Sequence, residues 1–367
     1  MSSSSRLFQP LKVGNIELKN RIIMAPLTRF RADDNHVPLP IVTEYYGQRA
    51  SVPGTLLITE ATFIAPQAGG YGNVPGIYSP EQIEAWKNVT STVHKKGCFI
   101  YVQLWALGRA ADPAQLKTET GRELMGASDI AIGGGAKPTP MTEEEIQEFI
   151  GLYTQAAKNA VEAGFDGVEI HSANGYLVDQ FLQDVSNKRT DAWGGSVEKR
   201  ARFGVEVTKA VVAAVGAERT AFRLSPYSTY QGMGMADPRP QFSYFAEELK
   251  KLKLSYLHVV ESRVSGSADV ETTGKVDFLL DVWGKTSPVF IAGGFGTDSA
   301  YRAVDEEYKD KDVAIVFGRY FIANPDLVFR VKEKIQFTPY DRNTFYNQGQ
   351  VDGYTTWAFS KEFEAQA

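Results

Sequence analysis

Asp166-Gly167-Val168-Glu169-Ile170-His171-Ser172-Ala173-Asn174-Gly175-Tyr176 reads as a short strand that stops at His171 and then turns over small residues. Strand alternation puts Val168 and Ile170 on one face and Glu169 and His171 on the other. The turn crowds His171, Asn174 and Tyr176 at one strand end, three hydrogen-bonding side chains of different acidity. A lone histidine after a strand is more often structural than catalytic. The company of Asn174 and Tyr176 points instead to a site.

Working outward, Thr142 and Glu145 form a capping box just upstream. Ile146, Phe149, Ile150, Tyr153, Ala157, Ala160 and Val161 then make one apolar helical stripe, which ends at Gly164. This helix-then-strand unit recurs. Strands are predicted over 21–25, 55–61, 98–105, 166–171, 220–225, 255–261, 288–292 and 312–317. Helices are predicted over 40–51, from the Ser79-Pro80-Glu81-Gln82 capping box to before Gly97, up to Val215, around 240–252 and near 297–308. Residues 7–18 read as a hairpin turning at Gly14-Asn15. Residues 106–141, with Gly133-Gly134-Gly135 and Pro138-Thr139-Pro140, read as a long loop excursion with a little structure of its own, and 177–196 as a loop. Residues 323–367 form an aromatic-rich, irregular C-terminal extension. Eight strands separated by helices, with no composition break, predict an α/β fold of the (β/α)8 TIM-barrel type, one domain over 1–367. A doubly wound open sheet is the alternative. It lacks support because no G-x-G-x-x-G follows the first strand.

The chain has 367 residues and a formal net charge of −5, which argues against nucleic-acid or anionic-membrane partners. Its one cysteine, Cys98, excludes an intramolecular disulfide framework and any all-cysteine metal or iron–sulfur site. Four scattered histidines argue against a His-rich zinc site. Residues 1–5 lack the apolar run of a signal peptide, and no run of about 18 apolar residues occurs. A cytoplasmic location is the expectation.

Alternation also sorts the other strands. In the third, Tyr101, Gln103 and Trp105 face into the barrel while Ile100, Val102 and Leu104 face the helices. In the fifth, Arg223 faces inward. A charge there needs a partner: either a structural one, Glu169 or Glu60, or a bound anionic cofactor. Gly293-Gly294 and Gly318-Arg319 end strands seven and eight, where this fold commonly binds phosphate through backbone N–H groups. The barrel therefore predicts a cofactor with a phosphate at one side and an electron-accepting ring near Arg223. His258 reads as a satisfied barrel histidine, Cys98 as buried and inert, and His36 and His94 as surface residues.

The chain resembles the Old Yellow Enzyme family of FMN-dependent ene-reductases over nearly its whole length. The resemblance is carried by Met24-Ala25-Pro26-Leu27-Thr28-Arg29, Gln67-Ala68-Gly69-Gly70-Tyr71, Gln103-Leu104-Trp105 and Gly164-Phe165-Asp166-Gly167-Val168-Glu169-Ile170-His171. It continues through Asn174-Gly175-Tyr176-Leu177, Asn187-Lys188-Arg189-Thr190-Asp191, Trp193-Gly194-Gly195-Ser196, Phe317-Gly318-Arg319 and Asn324-Pro325-Asp326-Leu327. It is most like fungal members.

The resemblance implies bound FMN, with NADPH or NADH as reductant and a small unsaturated aldehyde or ketone as substrate. It implies that Pro26, Leu27, Thr28, Ala61, Gln103 and Arg223 contact the flavin ring and that Gly294, Gly318 and Arg319 hold the phosphate. His171 and Asn174 are implied to bind the carbonyl oxygen and Tyr176 to give the proton, with Tyr71, Trp105, Phe345 and Tyr346 as pocket walls. Hydride would pass from flavin N5 to the β carbon and Tyr176 would protonate the α carbon. Family members occur as monomers and homodimers. Competing readings are a flavin-dependent isomerase or dehydrogenase of a fungal secondary metabolite, and a catalytically silent ligand-binding barrel. Trp105 also has a plain reading as core packing.

Overall fold

The computed structural model describes residues 5–366 apart from 263, 266–267 and 270–273, so the segment 1–4 lies outside it. Eight parallel strands close a barrel: β1 (Ile22–Met24), β2 (Leu56–Phe63), β3 (Phe99–Trp105), β4 (Gly167–Ser172), β5 (Thr220–Leu224), β6 (Tyr256–Val260), β7 (Val289–Ala292) and β8 (Val313–Phe317). Closure is made by β8 against β1, with Ile315 beside Ile22 and Phe317 beside Met24. The helices that follow the strands are α1 (Pro40–Arg49), α2 (Pro80–Lys95), α3 (Glu143–Glu162), α4 (Val197–Val215), α5 (Arg239–Lys250), α6 (Asp277–Trp283), α7 (Thr297–Arg302) and α8 (Leu327–Glu333). This is the (β/α)8 barrel expected from the alternation.

Local chemistry starts the long helices where the sequence places them. In α2, Gln82 N–H donates to Ser79 Oγ and Ser79 N–H donates back to Gln82 Oε1. Thr142 and Glu145 do the same for α3, each cap contributing about 1 kcal/mol. The buried stripe of α3 is Ile146, Phe149, Tyr153, Ala157 and Ala160, with Ile150 and Val161 half-buried at its edges.

Inside the barrel the side chains lie in layers. Tyr101, Tyr256 and Phe290 form an aromatic floor, with Tyr256 stacked on Phe290 at 4.0 Å between ring centroids. Below it, the apolar face of the hairpin Leu11–Val13 and Ile16–Leu18 packs into the same cluster. Above the floor comes a polar layer made of two pairs in register, Gln103 with Glu169 across β3 and β4 and Arg223 with His258 across β5 and β6, while between β4 and β5 Arg223 stands beside His171 and Glu169 beside Ala221.

Several expectations are corrected. The hairpin strands are shorter than 7–18, because Arg6–Phe8 forms a 3-10 turn instead. The 106–141 excursion does carry a little structure of its own, as expected: a helix, Pro113–Thr120, started by the Asp112 side chain accepting from Ala114 and Gln115 N–H. The 177–196 loop begins with a buried helix, Leu177–Leu182, too short to show a period. Helix α6 falls where no helix was expected. The C-terminal extension is not irregular throughout, since α8 lies within it. His36 is buried rather than surface, its Nδ1 2.6 Å from the Val74 carbonyl and its Nε2 3.3 Å from Glu119.

Strict alternation also fails once within β2. Its pairing with β3 runs from Ile58–Tyr101 to Ala61–Gln103, three residues against two, so one extra residue bulges. The bulge turns Ala61 inward and Glu60 outward, where Arg29 N–H donates to it. Glu60 is therefore not the partner of Arg223.

At the start of β4, a Cβ on Gly167 would lie 2.4 Å from the Tyr101 ring and 2.6 Å from the Arg219 carbonyl. Neither can yield, since the ring is locked in the aromatic floor and the carbonyl is backbone. Gly167→Ala is expected to cost about 1–3 kcal/mol and to lower the melting temperature by a few degrees. A thermal melt indistinguishable from that of the unmodified protein refutes this account of the floor.

Candidate functional site

Above the polar layer the barrel opens into a cavity of about 660 Å³. Short side chains at the top of the inner faces, Ala25, Ala61 and Ala292, leave this volume unfilled. Every residue named above as catalytic, cofactor-facing or pocket-forming lines this one cavity: Pro26, Leu27, Thr28, Ala61, Gln103, Arg223, Gly294, Gly318, Arg319, His171, Asn174, Tyr176, Tyr71, Trp105, Phe345 and Tyr346.

His171 ends the inner face of β4. Its Nδ1 accepts from Ala173 N–H at 3.3 Å, so the proton of the neutral ring sits on Nε2. Burial pushes its pKa well below the ordinary imidazole value, and the charge of Arg223 adds to this. His171 is thus a neutral donor rather than a cation. Asn174 has a left-handed backbone, φ 57°, which asparagine tolerates. Its N–H donates to Ser225 Oγ at 2.8 Å, and its side-chain Oδ1 is buried without a partner among the described residues.

Tyr176 stands edge-on to Trp105 at 4.8 Å and to His171 at 4.9 Å. Burial raises its pKa far above the usual phenol value, so it keeps its proton. Trp105 belongs to both core and cavity: it stacks on Phe63 at 5.2 Å, yet lies parallel to His171 in the wall. Tyr71 hydroxyl donates to the Ala110 carbonyl at 2.6 Å, which fixes the ring.

The turn that carries Asn174 and Tyr176 rests on a buried polar network. Asp179 accepts from Gly175 N–H at 2.9 Å and from Gln183 Nε2 at 2.8 Å. Gln180 Nε2 donates to the Gly175 and Leu107 carbonyls, and its Oε1 accepts from Arg109 N–H. Arg109 in turn donates to the Gln231 carbonyl at 2.9 Å, tying in the loop after β5.

Arg223 sits between His171 and His258 on the neighbouring strands. Its Nε is buried without a partner among the described residues. The charge of Glu169 acts on it, but the two side chains form no direct ion pair. The structural and the cofactor readings of Arg223 are therefore compatible. Gly294, with φ 65°, and Gly318-Arg319 lie together at one side of the cavity. The residue after Thr28 fixes another wall: Arg29 donates to the Phe345 carbonyl at 2.9 Å and to the Gly353 carbonyl at 2.8 Å. This holds the C-terminal segment that brings Phe345 and Tyr346 to the mouth.

The cavity has further aromatic walls, Tyr230, Phe295, Tyr320 and Tyr340, that the sequence reading passed over. Tyr230 follows β5, Phe295 follows β7 and Tyr320 follows β8, so position beyond a strand's C-terminal end was the available signal. Among the described residues no group of three metal-ligating side chains occurs, and no helix is long and apolar enough to cross a membrane.

Residues 6–337 match the NADH:flavin oxidoreductase / NADH oxidase family. The chain is 60% identical to a chanoclavine-I aldehyde reductase of Penicillium roqueforti, covering 98% of each. It is 53% identical to an NADP-dependent oxidoreductase of Aspergillus flavus, over 98% of this chain and 97% of the relative. A probable inactive dehydrogenase of Claviceps purpurea is 50% identical over 100% of this chain and 98% of its own. Among solved structures, an Old Yellow Enzyme from a Pichia species superposes with a TM-score of 0.90 at 42% identity, covering 98% of this chain and 95% of the other.

Burial pushes the Asp179 carboxyl from its ordinary 3.8 up to about 7. Between those values the folded chain holds a proton that the unfolded chain has lost, so stability falls as pH rises through that window and levels off above it. Asp179→Asn removes this dependence. Denaturation of the two proteins from pH 4 to 8 should show the difference moving in favour of the variant by a few kcal/mol. A difference that is flat with pH contradicts the assignment.

Proposed function

Because the chain belongs to the NADH:flavin oxidoreductase / NADH oxidase family, we propose that it is an FMN-dependent, NAD(P)H-consuming reductase of the activated C=C bond of α,β-unsaturated aldehydes and ketones. The observation that carries this reading is the one cavity in which Arg223, whose buried Nε has no partner among the described residues, faces the same space as the neutral donor His171 and the protonated Tyr176. The donor set fits FMN. Arg223 and Gln103 suit the pyrimidine edge, the Thr28 hydroxyl and the Pro26-Leu27 backbone suit the ring side, and Gly294, Gly318 and Arg319 suit a phosphate. FMN bound there supplies hydride chemistry, accepting from a nicotinamide and donating to the β carbon of the substrate.

His171 Nε2–H and the Asn174 amide hold the substrate carbonyl oxygen. Both bonds strengthen as that oxygen gains enolate charge, and that is where binding energy lowers the barrier. Neutrality matters for His171: an imidazolium beside Arg223 would add repulsion and give up the fixed tautomer set by Ala173. Tyr176 gives its proton to the α carbon. Its raised pKa keeps the hydroxyl protonated until a strongly basic carbon is presented. Trp105, Tyr71 and Phe345 exclude water around the bond being reduced. The name of the Penicillium relative favours an aldehyde as the carbonyl substrate, and that of the Aspergillus relative favours NADPH over NADH.

The name of the Claviceps relative makes a silent barrel the second reading. A visible spectrum with 2-cyclohexenone separates the two. Under the proposal the purified protein is yellow, NADPH bleaches it anaerobically, and the enone restores the colour. Protein that stays colourless after FMN is added sinks the proposal, and bleached protein that the enone fails to reoxidise supports the silent barrel. Turnover of an enone without any reductant would support isomerisation.

Tyr176→Phe divides the roles. Bleaching by NADPH is expected to stay near its original rate, because Tyr176 has no part in it. Reoxidation by the enone should slow by roughly 10²–10⁴, the usual worth of a positioned acid. Equal loss in both half-reactions makes Tyr176 a positioning residue instead.

A further inference from the structure

Glu169 lies fully buried on β4, two residues before His171, and has no part in the mechanism above. Its carboxylate collects three donors. Gln103 Nε2 donates to Oε1 at 2.7 Å, Tyr256 hydroxyl to Oε2 at 3.0 Å, and His258 Nδ1 to Oε2 at 2.9 Å. A carboxylate can only accept, so it dictates the state of each neighbour. Gln103 must turn its NH2 toward Glu169, which fixes which way its Oε1 is presented. His258 must carry its proton on Nδ1, and its Nε2 is buried without a partner among the described residues.

Charge is set in the same place. Burial pushes the Glu169 carboxyl up, but His258, Arg223 and Gln103 together hold it below the ordinary carboxylate value. Burial pushes His258 below the ordinary imidazole value, and Arg223 opposes its charging further, against the pull of Glu169. At neutral pH the layer therefore holds one anion, Glu169, and one cation, Arg223, in a space closed from beneath by the aromatic floor. The low dielectric makes each charge felt across the layer.

We propose that Glu169 is a positioning residue that fixes the orientation of Gln103 and offsets the charge of Arg223, and so sets the reduction potential of the flavin whose pyrimidine edge these two side chains face. The proposal rests on the flavin reading above. Arg223 alone favours the negative charge that reduction places at that edge. Glu169 opposes it, lowers the potential and keeps hydride donation to the substrate favourable.

The test compares holoprotein with the Glu169→Gln variant, which keeps the shape and removes the charge. Dye-equilibrated titration should show the variant favouring reduced over oxidised FMN by about tenfold more, which is about 30 mV upward for a two-electron couple. Glu169→Asp, which keeps the charge, should return most of that shift. Yellow, folded Glu169→Gln protein with an unchanged potential overturns this inference alone, whereas wild-type protein that takes up no FMN overturns the flavin reading with it. If the Gln variant does not fold, wild-type protein labelled with ¹³C-glutamate serves. Its redox-difference infrared spectrum should contain a perturbed carboxylate band. A protonated glutamate band, or no glutamate signal at all, overturns the proposal.

Discussion

Arg223 points into a closed parallel barrel, between His171 on one neighbouring strand and His258 on the other. The pleat of β5 leaves it no other direction. A guanidinium taken from water needs an opposite charge or strong acceptors near it, and the layers of the barrel follow from that need. Glu169 stands in the same layer, saturated by Gln103, Tyr256 and His258 rather than by Arg223 itself. The aromatic floor excludes water from beneath. On the open side, Ala25, Ala61 and Ala292 leave room for a ligand. The Nε of Arg223 has no partner among the described residues, and under the proposed function a cofactor with an electron-rich edge would meet it.

The parts of this plan that repeat at a fixed period were legible in the sequence. Alternation set Tyr101, Gln103, Trp105, Glu169, His171 and Arg223 on inner faces, and the capping residues Ser79 and Thr142 marked where α2 and α3 begin. Gln103, Trp105, His171 and Arg223 were placed inward by alternation near the C-terminal ends of strands, whereas Phe345 and Tyr346, on the C-terminal segment, were reached only through the resemblance. Legibility ended where one extra residue or a distant contact decides the outcome. The bulge between Ile58 and Ala61 reverses the face of Glu60, and no local propensity announces it. The burial of His36 depends on the Val74 carbonyl and Glu119, distant in sequence and adjacent only after folding. Short helices such as Leu177–Leu182 and Asp277–Trp283 are too brief to display a 3.6-residue period.

Three separate supports hold the cavity. The polar layer at the base of the cavity is carried by β3 to β6 and anchored on Glu169. The segment bearing Phe345 and Tyr346 is tied through Arg29 to the loop that carries Thr28. The turn bearing Asn174 and Tyr176 is held by Asp179, Gln180 and Arg109, whose bonds reach the loops after β3 and β5 and not the barrel interior. His171 belongs to the first support by its strand and to the third by the Ala173 bond that fixes its tautomer. This division lets the polar layer persist while the wall above it changes. Relatives with the same barrel carry names as different as aldehyde reductase and probable inactive dehydrogenase. Under the proposed function, Glu169, Gln103 and Arg223 would answer for electron transfer, and the Asn174–Tyr176 turn would decide what becomes of the substrate.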